Sequence, residues 1–185
     1  MNRTVKIAAL MLAALPSFAA AQSGGQSAKA HPAPEIQKLA KMLVGTWNIV
    51  EDYVRGGSMP NGGRGTAHSV IRLGPGGFSL IEDFVSTLPK GHLHAVYWWD
   101  STVHGLRTLD CTDLTDEGCN VSDGIGKWAG NDFVTEIRIH DGDKIIPAKI
   151  VWAEKDRRSF AATMYIADAN GTLKRDWTFL HKRVK

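Results

Sequence analysis

The sequence is short of three features: long apolar runs, clustered basic charge and cysteine. Its main apolar run, Ile7 to Leu15, is too short to span a bilayer, so we expect no membrane span. The formal charge of +3 falls to +1 once Arg3 and Lys6 are removed, and no basic patch stands out, which argues against nucleic acid as a partner. The pair Cys111 and Cys119 offers too few soft ligands for a metal site of its own.

Motifs that mark the common classes of catalytic site are missing too. The sequence contains no nucleophile elbow, no phosphate-binding loop and no paired-acid spacing. It therefore assigns no catalytic residue, and a binding protein is a better expectation than an enzyme.

The N-terminal 21 residues have the organisation of a secretory signal peptide. Basic Arg3 and Lys6 precede the apolar run, and the small residues Ala19 and Ala21 stand before a cut at about Gln22. No cysteine follows that cut to accept a lipid, so we expect a soluble, exported protein, periplasmic or secreted.

Residues 22–33 are rich in Ser, Gly, Gln and Ala without apolar periodicity, which predicts a flexible leader. Residues 34–185 then form one domain.

A short helix is predicted at the start of this domain. Pro34 suits a first helical position, and Ile36, Leu39, Ala40 and Leu43 recur at helical spacing. We expect this helix to cap one end of the β-structure that follows.

The remainder is typical of an antiparallel meander. Runs of β-branched and aromatic residues alternate with turn clusters of Gly, Asn, Asp and Pro. Eight to ten such strands avoid exposed edges most simply by closing into a barrel, which leaves room for one small ligand. The Gly-rich segment Gly56–Gly65 is predicted as a mobile loop at the open mouth rather than a strand. The predicted strands are Thr46–Arg55, Thr66–Leu73, Phe78–Ser86, His92–Asp100, Gly105–Asp110, Asn120–Trp128, Phe133–His140, Lys144–Glu154, Ser159–Ala167 and Thr172–Arg183.

The junction Leu43-Val44-Gly45-Thr46-Trp47 connects the helix to the first strand. A Gly two residues before a Trp lets the backbone turn sharply while the indole enters the barrel floor. This stretch resembles the Gly-x-Trp opening of calycins, the superfamily that includes lipocalins and fatty-acid-binding proteins. The resemblance implies that a basic residue of the last strand lies across this indole, and Arg183 is the candidate.

Further motifs narrow the resemblance to one bacterial family. They are Gly76-Gly77-Phe78, Ile81-Glu82-Asp83, Tyr97-Trp98-Trp99-Asp100, Gly105-Leu106 and Leu109-Asp110. Together with the opening motif they resemble the calycin-like domain of unknown function 1579, over roughly residues 34–185. The resemblance implies a lipocalin-like barrel but no established activity. The sequence departs from the family at Trp98-Trp99-Asp100, where members have a Gly-Tyr-Asp type of strand end, and the cysteine pair is an addition.

The two cysteines bracket a short loop between two predicted strands. In an exported protein an isolated pair of this kind forms a disulfide that ties the loop, and two free thiols are the alternative.

Two groups of histidine are candidates for a cofactor. His92 and His94 lie on one face of a strand, where Asp100, Glu82 or His68 can complete a metal site. The opposite face, Leu93, Ala95, Tyr97 and Trp99, is more apolar, which favours an exposed position for both histidines and therefore no metal.

His181 lies on the face of the last strand that also carries Trp177, Phe179 and Arg183. If that face points inward, His181 is similar to the histidine that nitrobindin-like barrels present to haem iron. A histidine near a frayed terminus is the other interpretation, so we expect no cofactor and keep haem as the alternative.

Six tryptophans on different strands favour a cavity that grips a flat or apolar ligand. The sequence thus predicts a small-molecule-binding barrel, monomeric or homodimeric, for an apolar or aromatic ligand. The alternative is a barrel enzyme of isomerase, cyclase or hydrolase type, because a buried carboxylate has a raised pKa and can act as a base. The candidate acids are Glu51, Glu82, Asp83, Asp100 and Glu136. The residues expected to bind the ligand are Trp47, Glu82, Trp98, Trp152, Trp177 and His181.

Overall fold

The computed structural model describes residues 31–115 and 118–184. One helix, α1 (Pro34–Leu43), is followed by ten strands. The predicted signal peptide and all but the last three residues of the predicted leader lie outside the described residues. Within those that are described, no helix is long and apolar enough to cross a membrane. The strands are β1 (Gly45–Tyr53), β2 (Gly63–Leu73), β3 (Ser79–Thr87), β4 (Lys90–Asp100), β5 (Gly105–Thr115), β6 (Gly118–Ala129), β7 (Asp132–Asp141), β8 (Lys144–Asp156), β9 (Ser159–Ala167) and β10 (Leu173–Arg183).

The ten strands form a closed antiparallel barrel, which confirms the predicted fold. Each strand pairs with its neighbours in sequence, and β1 closes the barrel by pairing with β10. The closing register runs from Trp47 opposite Arg183 to Tyr53 opposite Trp177. Closure gives every strand two partners, so no edge is left with unpaired backbone groups.

The strand boundaries differ from the sequence prediction by three residues or more in two places, and by one or two residues elsewhere. β2 begins at Gly63, inside the segment predicted as loop, because residues 63–65 continue the pairing with β1 up to Tyr53. The prediction that all of Gly56–Gly65 is loop was therefore wrong at its last three residues. β5 extends beyond Asp110 to Thr115, because its pairing with β6 continues along the hairpin that carries the cysteines.

Helix α1 covers one end of the barrel, which we call the floor. Ile36, Leu39 and Leu43 of the helix are buried against the barrel core. The chain then turns at Gly45, whose φ of 153° is open to glycine but strained for other residues. Trp47 follows, fully buried, and its Nε1–H donates to the carbonyl of Leu43 over 2.7 Å.

The other end of the barrel is the mouth. It carries the loop between β1 and β2, the turn between β3 and β4, and the hairpin between β5 and β6. Cys111 and Cys119 face each other across this last hairpin, with their Cα atoms 5.3 Å apart and their sulfurs bonded. The predicted disulfide pairing is thus present, and it ties one loop of the mouth.

Candidate ligand-binding site

The barrel encloses a cavity of about 540 Å³ that opens toward the mouth. Its walls are mainly apolar and aromatic, because alternate residues of each strand point inward. Phe84, Leu93, Ile137 and Phe179 are among these wall residues. A space of this volume and character suits one small molecule.

The deep end of the cavity is closed by aromatic rings. Tyr97 and Trp152, from opposite sides of the barrel, meet edge to face with centroids 6.4 Å apart. His181 stacks on Phe160 at a centroid distance of 4.0 Å, and Trp152 lies 6.3 Å from the same imidazole. A ligand that enters from the mouth therefore ends against a wall of π-systems.

His181 is held as a neutral imidazole in this wall. Burial lowers its pKa from 6.5 to about 3, and a hydrogen bond to the Phe179 carbonyl opposes this shift. The Nδ1 atom lies 3.3 Å from that carbonyl oxygen, which can only accept, so Nδ1 carries the proton.

Glu82 supplies a buried carboxyl group on the side of the cavity. Ser69 Oγ donates to its Oε1 over 2.7 Å, and the Tyr97 hydroxyl donates to its Oε2 over 2.9 Å. Burial raises the pKa of Glu82, and the two hydrogen bonds lower it in part. The site thus holds a carboxyl group whose proton affinity is above the ordinary range.

Asp110 lies two strands away from Glu82 in the same inward row. Ala95 stands between them and pairs with both residues, so only a methyl group separates the two carboxyl side chains. Burial raises the pKa of Asp110 to about 6, although Ser122 Oγ donates to it over 2.5 Å. Two carboxyl groups with raised pKa values therefore share one wall of the cavity.

Asp176 is a third carboxylate, placed at the mouth. A β-bulge between Arg175 and Trp177 inserts Asp176 as an extra residue, and it is buried beside the inward-facing Trp177. The backbone N–H and the hydroxyl of Ser58 both donate to this carboxylate over 2.6 Å. The loop predicted to be mobile is thus anchored to β10, and Ser58 and Met59 of that loop line the cavity.

Two polar atoms at the deep end have no partner. Thr135 Oγ1 and Trp152 Nε1 are buried and form no hydrogen bond with any residue within 31–115 or 118–184. Both side chains line the cavity. Unpaired buried donors are uncommon in folded proteins because each one costs free energy of desolvation.

The structure brings four of the six residues predicted to bind a ligand to the cavity: Glu82, Trp152, Trp177 and His181. Trp47 lies below the cavity, in the floor, where it packs on Phe160 with centroids 4.7 Å apart. Trp98 does not line the cavity, because it alternates with the inward-facing Tyr97 and shares the outer face of β4 with His94.

The candidate metal ligands lie on the outer face of β4, with His92 at the rim of the cavity mouth. His92 Nδ1 is 2.6 Å from Asp113, and His94 Nδ1 is 2.8 Å from Asp83. Both histidine side chains are more than half exposed. In the described part of the chain no three His, Cys, Asp or Glu side chains come together as a metal site.

Of the other four candidate acids, one points into the barrel and three lie on its outer surface. Glu51 is fully buried and accepts hydrogen bonds from Ser86 Oγ at 2.8 Å, and burial raises its pKa. Asp83 and Glu136 lie outside the barrel, and Asp100 pairs there with Arg107 at 2.7 Å. Only Glu82 among the five candidate acids therefore lines the cavity.

The polar lining residues that were missed from the sequence include Tyr97, Asp110, Thr135 and Asp176. Strand alternation places Thr135 with the apolar Phe133 and Ile137, which is a signal that could have identified it. Asp176 carried no such signal, because the bulge reverses the alternation.

The floor contains the contact that the sequence predicts between the two ends of the domain. The Arg183 guanidinium carbon lies 4.3 Å from the Trp47 ring centroid. Its Nη1 donates to the Val44 carbonyl over 2.6 Å, and Nη2 lies 3.5 Å from the Met42 carbonyl.

Comparison with known proteins supports the fold. The chain is similar to Rv2717c from M. tuberculosis, whose crystal structure it matches with a TM-score of 0.54 and 11% sequence identity, over 83% of this chain and 99% of that one. At this identity the likeness shows the fold alone. No family model matches the chain, and no curated protein matches it. The resemblance to the domain of unknown function 1579 stays a prediction.

Proposed function

We propose that this protein is an exported barrel that binds one small, mainly apolar molecule in its interior. The observation that carries the proposal is the cavity of about 540 Å³, walled by aromatic and aliphatic side chains. A core that served only stability would be filled to near crystal density, because empty apolar space costs stability. Membership of the calycin-like family with domain of unknown function 1579 belongs to the same proposal.

The cysteine pair supports the export part of the proposal. Disulfides persist in oxidising compartments and are rare in reducing ones. The bond between Cys111 and Cys119 lies in a hairpin of the mouth, and Thr112 and Val121 of this hairpin line the cavity.

Native mass spectrometry of the freshly purified protein tests the binding function. We expect a second species heavier than the apo chain by the mass of one small molecule. An apolar fluorescent probe should also enter the cavity and quench the emission of Trp152 and Trp177, which line it. Apo mass alone together with no probe binding would show that the barrel has a structural or protein-binding role instead.

An enzyme of isomerase type is the second candidate, because Asp110 lines the cavity with a pKa raised to about 6. A carboxylate with that proton affinity is a better base at neutral pH than an ordinary aspartate. The two functions can be distinguished by incubating the native protein with the ligand that denaturation releases from a separate sample. An unchanged ligand supports a carrier, whereas conversion that Asp110→Asn abolishes supports an enzyme.

Haem does not fit the described residues of the cavity. His181 offers a neutral imidazole, but the lining carries three carboxylates and neither Lys nor Arg among the residues described. The two propionates of haem would find no cationic partner there. We therefore expect an absorbance spectrum without a Soret band.

A further inference from the structure

The deep end of the cavity is built to donate hydrogen bonds. An indole N–H can only donate, so Trp152 Nε1 requires an acceptor atom. The Thr135 hydroxyl can donate to that same acceptor. Thr135 is 1% exposed and Trp152 is 7% exposed, so both side chains are shielded from bulk water. Each group is desolvated by folding without compensation from the described part of the chain, which points to a partner that comes from outside.

The two donors lie close enough to share one partner. Thr135 of β7 pairs with Ile150 of β8, and Trp152 is the next inward-facing residue along β8. They are therefore diagonal neighbours on adjacent strands, with Cβ atoms somewhat less than about 7–8 Å apart, a distance that long side chains bridge. A single oxygen atom between them can accept from both.

The charge of the lining limits which oxygen can enter. Glu82, Asp110 and Asp176 line the cavity, and the described lining residues include no Lys or Arg. At pH 7.5 a carboxylate or phosphate would meet the negative charge of Asp110 and Asp176 in a low-dielectric space, where repulsion is strong. The geometry thus disfavours fatty acids and other apolar anions.

We propose that the ligand is an apolar molecule without negative charge that carries a carbonyl or hydroxyl oxygen at its leading end, and that Trp152 and Thr135 donate to this oxygen. This inference rests on the proposed binding function and names its ligand class. Glu82 and Asp110 also line the cavity, where they can accept from a hydroxyl or amine group of the same molecule.

Three naphthalenes of nearly equal shape test the proposal by isothermal titration calorimetry at pH 7.5. 2-Acetylnaphthalene has the neutral acceptor, 2-ethylnaphthalene lacks an acceptor, and 2-naphthoate is an anion. We expect the ketone to bind about 10-fold more tightly than the hydrocarbon, as one or two neutral hydrogen bonds provide, and the anion to bind more weakly than either.

Two conservative variants identify the donors. Trp152→Phe keeps an aromatic ring without the N–H, and Thr135→Val keeps the shape without the hydroxyl. Each should reduce the preference for the ketone over the hydrocarbon, measured in the same variant, about 2- to 10-fold. Trp98→Phe is the matched control, because Trp98 lies on the outer face of β4, and its preference should equal that of the wild type.

Stability gives a second readout that does not depend on ligand. Thr135→Val removes a buried hydroxyl that has no partner within the described chain, so the apo variant should melt no lower than the wild type. A clear fall in melting temperature would show that the hydroxyl is satisfied in the protein and would overturn the argument.

The outcomes separate the inference from the function on which it rests. If none of the three naphthalenes binds, the proposed binding function fails. If all three bind alike, or if the variants keep the full preference for the ketone, the cavity binds ligands but the proposed donors do not select them. Tighter binding of 2-naphthoate than of the ketone would refute the exclusion of anions.

Discussion

Arg183 of β10 connects the last strand to Trp47 of β1 and to the end of α1. Its guanidinium covers the indole of Trp47 and donates to a carbonyl at the end of α1. A lysine could supply the charge but not the planar group that stacks and donates at once. The neighbouring Lys182 is exposed and points to the opposite side of β10.

Arg183→Ala should therefore lower the free energy of unfolding by about 1–2 kcal/mol, because a partly desolvated cation-π contact and charged hydrogen bonds are lost together. Lys182→Ala is the matched control and should cost less than about 0.5 kcal/mol. Chemical denaturation of both variants measures the difference. Equal stabilities would mean that the end of β10 is frayed in solution.

His181 makes stability depend on pH with a definite sign. Its folded pKa of about 3 lies below the 6.5 of the unfolded chain, so between these values the unfolded state binds the extra proton. Stability is therefore lost as pH falls from 6.5 toward 3. From neutral to about pH 4 the loss from this residue is roughly 3 kcal/mol.

His181→Phe should remove that contribution, since phenylalanine can keep the stacking on Phe160 without a titratable group. The difference in unfolding free energy between variant and wild type, measured from pH 7 to pH 4, should grow in favour of the variant. A constant difference across this range would show that His181 is not buried as a neutral group.

The titration of Asp110 changes stability in the direction opposite to that of His181. Its folded pKa of about 6 exceeds the ordinary 3.8, so between these values the folded state binds the extra proton. Its contribution to stability is lost as pH rises through 6. Asp110→Asn should therefore gain stability relative to the wild type as pH rises from 4 to 7, which the same denaturation series can measure. A gain that appears as pH falls instead would contradict the buried position of Asp110.

Residue type alone was a weaker guide to the site than strand alternation. Alternation on β4 separates Ala95 and Tyr97, which are buried, from His92 and His94, which are exposed. Trp98 was expected to bind ligand because it is a tryptophan, although alternation places it with the histidines. Pairing partners such as Ser69 for Glu82 depend on the register between strands, which the sequence does not specify.

At the scale of elements, β-patterning predicted all ten strands because each one is bounded by a clear turn signal. The turn at Asp168 shows why, since its carboxylate accepts from the N–H groups of Asn170 and Thr172. The β-bulge at Asp176 left no comparable signal. One inserted residue changes which side chains face inward, and that change depends on pairing with β9.

The hairpin between β5 and β6 carries a prediction about the disulfide. Cys111 and Cys119 are 8 positions apart. Closing so short a loop stabilises the folded state by about 2–3 kcal/mol in the chain-entropy description. The double variant Cys111→Ser with Cys119→Ser should therefore melt at a lower temperature.

Mass spectrometry of the wild-type chain purified from an oxidising compartment provides the control, because oxidation removes two hydrogens. The reduced and oxidised forms should differ by about two mass units. Alkylation of two thiols in denatured, unreduced protein would contradict the bond.

For the whole molecule, an occupied cavity should stabilise the fold by mass action. At a concentration 100 times its dissociation constant, 2-acetylnaphthalene should add about 2.7 kcal/mol. For a domain of this size that corresponds to a rise in melting temperature of roughly 5–10 °C. Differential scanning calorimetry can measure this rise.

Ala95→Phe provides the control for this shift. Ala95 lies between Glu82 and Asp110 on the cavity wall, so a phenyl ring there should occupy the ligand space. The ketone should then leave the melting temperature of the variant unchanged. An equal rise in both proteins would locate binding outside the cavity.

The closure of the barrel between its first and last strands also determines when the protein can fold. Arg183 and the Val44 carbonyl to which it donates are 139 positions apart. Contacts between such distant positions make folding slow, because the entropy of closing the long intervening chain is lost before the contacts compensate for it. Until β10 has been synthesised, β1 lacks one of its two partners. A chain that cannot close early stays unfolded for longer, which suits the export that we propose, because a translocation channel accepts unfolded chains.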